Sequence, residues 1–271
     1  MSQANKGSAI VKLEIMSEAS VSNAKMKKGA KSTDGTVLYI IASLDLAPND
    51  QSGYNVCLRS TKACRKGCNQ WHSGRRVTKT VRASQIRKTR WVMEDRAAAI
   101  AAIDRDLARL QRKADKLGVF LYVRLNCASD LPWEDWAPEL YTKYKEAIFY
   151  DYTKIVGRIG RKNQPVNYHL TYSVSEESTQ EIIDDLINRG HNVAVAMGIN
   201  WSSAAGKAAK LPSHWRGIPS VNGDIDDRRT PGTDGRGVAV LMKWKGGERL
   251  MNEAIASGFA QKVTELTVSA A

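Results

Sequence analysis

The sequence lacks any run of about 18 apolar residues, the length that a membrane-spanning helix needs, so it does not predict an integral membrane protein. Residues 1–7 carry no apolar core of the signal-peptide kind, and we therefore expect a cytoplasmic protein. In that compartment thiols stay reduced, so the 4 cysteines are not expected to form a disulfide framework. A phosphate-binding glycine loop with its lysine is also absent, and no nucleotide site of that type is predicted.

Acidic residues are missing from Gln51 through Met93, although the chain as a whole carries 28 of them. The net charge of +13 and a pI near 9.6 favour a polyanionic partner, either nucleic acid or a nucleotide. Trp71 and Trp91 flank the basic run of this segment and could stack on bases of a single strand. The alternative is a solvated basic face. The predicted phosphate contacts are Arg75, Arg76, Lys79, Arg82, Arg87, Lys88 and Arg90.

Three of the four cysteines lie inside this acid-free segment and span only twelve positions. They are Cys57, Cys64 and Cys68. Soft thiolate sulfur is the donor that iron–sulfur clusters and zinc prefer. The three cysteines could hold a cluster with one open iron. They could instead close a tetrahedral zinc site with His72, because Cys64, Cys68 and His72 are four residues apart and would share a helical face. The third alternative is a set of free thiols in a basic loop.

Apolar β-type runs alternate with helical patterns along most of the chain, which predicts a parallel α/β sheet in a complete or partial (β/α) barrel, similar to a TIM barrel. We expect one domain over residues 36–271, with an N-terminal strand and basic loop over residues 1–35. Within the domain, residues 57–90 form the cysteine and basic segment, and residues 198–236 form a long polar loop. The helical stretch from Ser84 to Leu117 is long enough that a break near residues 94–96 is expected.

In a barrel, ligands bind at the carboxyl ends of the strands. Lys154 is a candidate catalytic residue at one such end, and the predicted cofactor contacts are Asn126, Ser129, Asp130, Tyr152 and Ser173. Asp224 and Asp226 are candidates for acid–base catalysis, although a solvated turn with local ion pairs would explain them equally well. His169 and His191 are lone histidines beside strands and are interpreted as core or surface groups.

Several ordered motifs resemble the phage "gene product 88" family. They are Ser22-Asn23-Ala24-Lys25 with Lys28-Gly29, the three cysteines, Arg87 with Arg90-Trp91, Ala128-Ser129-Asp130, the run Phe149 to Lys154, and Asn167-Tyr168 with Leu170-Thr171. The architecture of this family resembles that of radical S-adenosylmethionine enzymes. The resemblance implies that the three cysteines bind a four-iron, four-sulfur cluster and that Ser129-Asp130 contacts the amine of S-adenosylmethionine. The spacing of six and then three residues between the cysteines departs from the compact pattern of those enzymes.

These observations lead to two hypotheses. The first is a metal-dependent, iron–sulfur α/β-barrel enzyme of phage type, in the host cytoplasm, which acts on nucleic acid or a nucleotide through S-adenosylmethionine chemistry. The second is a non-catalytic nucleic-acid-binding protein with a structural zinc site. The sequence fixes neither the substrate nor the oligomeric state.

Overall fold

The computed structural model describes residues 14–22, 30–72 and 74–263, which form a single mixed α/β domain. The ten strands are β1 (Ser17–Glu18), β2 (Tyr39–Ser43), β3 (Phe120–Arg124), β4 (Ile148–Thr153), β5 (Tyr168–Ser173), β6 (Val193–Asn200), β7 (His214–Trp215), β8 (Ile218–Asn222), β9 (Ala239–Trp244) and β10 (Ala260–Gln261). The eleven described helices are α1 (Ala19–Ser22), α2 (Lys62–Lys66), α3 (Asn69–His72), α4 (Lys79–Glu94), α5 (Arg96–Leu117), α6 (Trp133–Trp136), α7 (Pro138–Lys143), α8 (Gln180–Asn188), α9 (Ala204–Ala208), α10 (Pro231–Asp234) and α11 (Glu248–Ala256).

All ten strands belong to one sheet, in the order β1-β2-β3-β4-β5-β6-β9-β8-β7. Strands β2 to β6, β9 and β8 run parallel, whereas β1 and β7 pair antiparallel at the two ends. The short β10 pairs parallel with β6 beyond the last β5 pair. The predicted parallel α/β sheet is therefore present, but within the described residues it stays open, and the prediction of a complete barrel is wrong. The open ends are two-residue strands, which limits the backbone left unpaired.

Helices α4 and α5 form the long helical pair that the sequence predicts, with the expected break at Asp95. The Asp95 carboxylate caps α5 by accepting a hydrogen bond from the Ala98 N–H at 3.1 Å. Gly118 ends α5 in the left-handed conformation with φ +65°, where a side chain would be strained. The buried face of α5 includes Leu107 and Leu110 and packs on β2 and β3. Helix α4, which carries the end of the acid-free segment, packs on α5. The acid-free segment is therefore held to the first strands of the sheet through α5.

The two faces of the sheet differ because side chains alternate along each strand. One face belongs to the main hydrophobic core and includes Ile40, Val123 and Phe149. The other face carries Tyr39, Tyr122, Tyr150 and the buried Arg124. Residues 226–229 lie against this second face, which is thereby polar and covered by protein.

The segment 198–236 differs from the predicted long loop. It contains the end of β6, the helices α9 and α10, and the strands β7 and β8. These strands are short and interrupted by glycine and proline, so their apolar alternation is too brief to stand out in the sequence. The last helix, α11, ends at Ala256, because Gly258 adopts φ +82° and the chain turns into β10. Most of the predicted N-terminal strand and the motif at residues 23–29 lie outside the described residues.

None of the described helices has the length and apolar character that crossing a membrane requires.

Candidate functional site

The cysteine segment lies across the carboxyl edge of the sheet, on the turn that follows β3. The Cys57 thiol donates to the Ala128 carbonyl at 3.4 Å and accepts from the Asn49 N–H at 3.3 Å. The Asp130 N–H donates to the Val56 carbonyl at 2.8 Å. The loop after the first parallel strand is therefore fixed to the end of the second by bonds on both sides of Cys57.

Cys64 and Cys68 follow on the short helix α2 and just after it. Thr61 caps this helix, since its side chain accepts from the Cys64 N–H at 3.2 Å. At the other end Gly67 packs against Trp244, and a Cβ at this position would lie 2.5 Å from the indole ring. The close approach of α2 to the end of β9 therefore requires glycine.

All four cysteines are thiols without disulfides, and burial controls the titration of two of them. Burial raises the pKa of Cys57 to about 12, with the Asn49 N–H opposing this shift and the neighbouring Cys68 and Cys64 thiols contributing to it. Burial also raises the pKa of Cys64, against the opposing charge of Lys154. The three sulfurs are thus close enough to influence one another electrostatically. Among residues 14–22, 30–72 and 74–263, however, no group of three or more His, Cys, Asp or Glu side chains is arranged so that it could hold a metal ion.

His72 lies in the positive field of two arginines. Burial lowers its pKa, and the charges of Arg82 and Arg249 lower it further. The helical alignment of Cys64, Cys68 and His72 is also interrupted, because α2 ends at Lys66 and α3 begins at Asn69. The spacing that favoured a four-ligand zinc site therefore does not lie on one continuous helix.

Asp130 is the buried carboxylate at the end of β3. It accepts from the Thr153 hydroxyl at 3.1 Å and from the Lys154 N–H at 2.9 Å, and it forms an ion pair with Arg158. Burial raises the pKa of Asp130, and Arg158 opposes that shift. Arg158 also binds Glu134 at 2.7 Å, so one guanidinium compensates two buried carboxylates.

Two other predicted cofactor contacts on this turn serve its conformation. The Asn126 side-chain carbonyl accepts from the Ser129 hydroxyl at 2.7 Å and from the Leu131 N–H at 2.9 Å. Tyr152 lies on β4 with its hydroxyl 3.6 Å from the Met242 sulfur. The structure thus brings Asn126, Ser129 and Asp130 together and leaves Tyr152 on the neighbouring strand.

Lys154 and Ser173 meet at the ends of β4 and β5. The Lys154 ammonium donates to the Ser173 hydroxyl at 2.9 Å and to the Ser173 carbonyl at 3.1 Å, and it lies 5.1 Å from the centre of the Phe259 ring. Its charge acts on Cys64, as the pKa of that thiol shows. Lys154 therefore connects the predicted cofactor contact to the cysteine segment.

Glu176 is a site residue whose role the sequence pattern did not reveal. Its carboxylate accepts from the Thr61 hydroxyl at 2.8 Å and from the Ala63 N–H at 3.1 Å, which ties the end of β5 to the start of α2. It also lines a cavity of about 290 Å³ between α2 and α11. Its position after a strand was the one available signal, and the partner 113 residues away in sequence could not be read from the pattern.

Asp224 and Asp226 form structural contacts with their own segment and the strand beside it. Asp224 is buried, accepts from the Lys243 N–H at 2.8 Å and pairs with Lys245 at 3.0 Å. Asp226 pairs with Arg228, whose guanidinium lies 4.0 Å from the centre of the Tyr39 ring. These contacts fit the alternative of local ion pairs and do not bring either aspartate to Lys154.

The basic segment divides into internal and solvent-facing residues. The Arg82 guanidinium lies 4.3 Å from the centre of the Trp71 ring, and Arg90 donates to the Ser52 carbonyl at 3.0 Å. Burial lowers the pKa of Lys88, with Asp45 opposing. Lys79 and Arg87 are exposed on α4, while Arg75 and Arg76 lie in a 3₁₀ turn over Gly74–Val77.

The chain is thus an open-sheet α/β protein with a three-cysteine segment fixed across the carboxyl edge of its parallel strands. Residues 16–263 match the sequence model of the Gene product 88 family, and the protein belongs to that family. The predicted resemblance to this phage family is confirmed. No curated protein and no solved structure matches the chain.

Proposed function

We propose that this protein is an iron–sulfur enzyme that uses S-adenosylmethionine chemistry on nucleic acid or a nucleotide, with its cluster held by Cys57, Cys64 and Cys68. The observation that carries the proposal is the bond from the Cys57 thiol to the Ala128 carbonyl at 3.4 Å. It joins the cysteine loop after the first parallel strand to the Ala-Ser-Asp turn after the second. In radical S-adenosylmethionine enzymes the corresponding elements hold the cluster and the methionine moiety.

The donor set fits a cluster better than a single ion. Thiolates around a cluster are farther apart than those around one metal, because several iron and sulfide ions lie between them. The Cys68 and Cys64 thiols act electrostatically on Cys57, and no group of three or more His, Cys, Asp or Glu side chains among the described residues is arranged to hold a metal ion. Cys64, Cys68 and His72 do not lie on one continuous helix, since α2 ends at Lys66 and α3 begins at Asn69. This break counts against the zinc site of Cys57, Cys64, Cys68 and His72.

The surrounding residues supply what a cluster site needs. Thiols must lose their protons to bind iron, and the positive charge of Lys154 favours the Cys64 thiolate. When bound, the cluster would supply a one-electron donor. Asp130 is the acidic group at the expected amine contact, and its two carboxylate oxygens are held by Thr153, Lys154 and Arg158. Amine binding at Asp130 would therefore share that carboxylate with Arg158.

The positively charged surface of α4 supports an anionic substrate. Lys79 and Arg87 face solvent in a segment without acidic residues, whereas Arg82 binds Trp71 and the exposed Arg90 donates to the Ser52 carbonyl. Of the predicted phosphate contacts on α4, we therefore assign this role to Lys79 and Arg87. Each such contact contributes to a salt-dependent affinity for nucleic acid.

The test of the cluster is the iron and sulfide content and the visible spectrum of protein purified without oxygen. We expect iron and labile sulfide in the parent protein and their loss in Cys57→Ala, Cys64→Ala and Cys68→Ala. Cys127→Ala is the matched control, because Cys127 is a buried thiol in the turn after β3, 3.9 Å from the Arg124 carbonyl. One zinc per chain would refute the cluster and favour the nucleic-acid-binding alternative, as would iron content that survives all three substitutions.

The test of the substrate class is the salt dependence of single-stranded DNA and RNA binding. Removing both exposed charges in Lys79→Gln/Arg87→Gln should lower the slope of log affinity against log salt by about 1.4, at about 0.7 per phosphate contact on a single strand. Lys116→Gln/Arg112→Gln removes two exposed charges of α5 and should change the slope much less. Equal effects of the two pairs would show that net charge, and not the α4 surface, drives binding.

A further inference from the structure

A second cavity lies at the opposite edge of the sheet from the cysteines. It has a volume of about 260 Å³ and opens where β5 and β6 begin, next to Tyr168 and Asn192. The turn around Gly160 and the segment 229–236 complete its wall. The cavity is therefore separate from the cysteine segment and from every site residue assigned above.

The lining of this cavity is positively charged. It contains Arg161, Arg229 and Arg236 together with His169 and His191, and it contains no aspartate or glutamate. Two of the arginines already have acidic partners that are not part of the lining, since Arg161 binds Asp135 and Arg229 binds Asp234. Arg236 is exposed, and no acidic side chain among the described residues pairs with it. The cavity thus presents a cation whose charge is not compensated by a carboxylate.

The position of His191 is set by Gly160. This glycine has φ +66°, and a Cβ there would lie 2.5 Å from the His191 Nε2 atom and 2.9 Å from an Arg189 nitrogen. The Gly160 N–H donates to the Gln164 side-chain carbonyl at 2.8 Å, and the Gln164 amide donates to the Tyr168 carbonyl at 2.6 Å. The imidazole therefore rests directly on a backbone that hydrogen bonds hold in place.

Asn192 holds the segment 235–238 in place at the cavity. Its amide donates to the Gly235 carbonyl at 2.9 Å, and its side-chain carbonyl accepts from the Val238 N–H at 3.2 Å. The residue is buried beside the start of β6. Arg236 belongs to the short segment between these two bonds, so its backbone is anchored on both sides of the cavity mouth.

The charges around the two imidazoles favour an anion. Burial lowers the pKa of His169, and Arg236 lowers it further. Burial also lowers the pKa of His191, with Arg189 and Arg236 acting in the same direction and Asp185 opposing. A bound anion would offset the guanidinium charges and favour protonation of both rings, which would then donate hydrogen bonds to it.

We propose that this cavity binds a phosphate group, either inorganic phosphate or the phosphate of a small monoester, through Arg236, His169 and His191. Guanidinium and imidazolium donors match the geometry and charge of phosphate oxygens. The volume lies just below the range of about 300 to 1,000 Å³ for drug-sized ligands, which suits a small molecule. The proposal is independent of the cysteines and holds whatever metal they carry.

Calorimetric titration at constant ionic strength tests this proposal, with inorganic phosphate and adenosine monophosphate as the two probes. We expect at least one to bind saturably, and the comparison tells free phosphate from a monoester. Arg236→Gln and His169→Gln should each weaken binding by about 10-fold or more. Arg112→Gln is the matched control, because Arg112 is exposed on α5 and that helix contributes nothing to the lining. Failure of both probes to saturate would overturn the proposal, as would folded Arg236→Gln protein with parent affinity.

Nuclear magnetic resonance of the imidazoles gives a second readout. Saturating probe should raise the pKa of His169 and His191 in the parent protein and leave that of the exposed His214 unchanged. The Gly160→Ala variant should shift the His191 signal and weaken binding, since the added methyl occupies the space of the ring. Unchanged pKa values at both histidines under saturating phosphate would contradict binding in this cavity.

Discussion

Replacing Glu176 by alanine should release the cysteine helix from the sheet. The Glu176 carboxylate accepts two hydrogen bonds at the start of α2, from the Thr61 hydroxyl at 2.8 Å and from the Ala63 N–H at 3.1 Å. Hydrogen bonds to a charged group contribute about 1.5 to 3 kcal/mol each. The Glu176 side chain is partly exposed, so solvent screening lowers each bond to about 1 to 1.5 kcal/mol, and we expect a total loss of about 2 to 3 kcal/mol.

This loss should be local, because α2 has only five residues and none is fully buried. Hydrogen exchange measured by mass spectrometry is therefore the appropriate assay. A decrease of about 2 to 3 kcal/mol in the opening free energy corresponds to roughly 30- to 150-fold faster exchange of the protected amides over residues 64–68. Exchange in β3 and β4 should stay as in the parent protein.

Two variants decide whether the carboxylate is responsible. Glu176→Gln retains an acceptor oxygen and should recover part of the protection. Glu177→Ala changes the adjacent, exposed glutamate and should leave residues 64–68 unaffected. The reasoning is refuted if Glu176→Ala exchanges at the parent rate over α2, or if Glu177→Ala accelerates it equally.

Three further predictions concern stability, each measured by urea denaturation. Arg158→Met leaves the buried Asp130 carboxylate without its ion pair and leaves Glu134 with only the Arg161 pair at 3.3 Å, which should cost about 3 to 5 kcal/mol; an unchanged midpoint would contradict this ion-pair assignment. Burial raises the pKa of Asp151 to about 7 in the folded state, so the folded protein binds the extra proton between about pH 4 and 7, and its stability falls as the pH rises through that window. Asp151→Asn should remove this loss of about 4 kcal/mol, and parallel pH profiles of the two proteins would count against it. In Gly206→Ala the new methyl would lie 1.7 Å from the Asn200 carbonyl oxygen and should cost about 3 kcal/mol, whereas Gly157→Ala has open space and should cost less than about 1 kcal/mol.

The parallel sheet was predictable because its strands are fully buried apolar runs bounded by turns. Residues 119–127 and 147–152 show this pattern most clearly, and they form β3 and β4. Closure of the sheet was not predictable, since it depends on whether the first and last strands pair, and that is a tertiary property. Strand β7 was missed because two residues are too few to establish a period, and β8 because its sequence Ile-Pro-Ser-Val-Asn contains proline, serine and asparagine.

The candidate site was predictable only in part. The sequence indicates which residues follow the strands, and the structure joins Lys154 to Ser173 and Asp130 to Thr153. It does not indicate which side chains are occupied by internal contacts. Arg82 and Arg90 carry the same charge as Lys79 and Arg87. Arg82 stacks on Trp71, however, and Arg90 donates a hydrogen bond to the Ser52 carbonyl.

The raised thiol pKa values bear on what the cysteines do without disulfides or metal. A reactive free cysteine needs a lowered pKa, which nearby cations normally provide. Lys62, Arg65 and Lys66 surround Cys64 in sequence, yet burial outweighs positive charge and the pKa of both Cys57 and Cys64 rises. The positive segment therefore does not turn these residues into nucleophiles. Thiols become anionic when metal replaces their protons, and the cluster that we propose for the three cysteines would require this exchange.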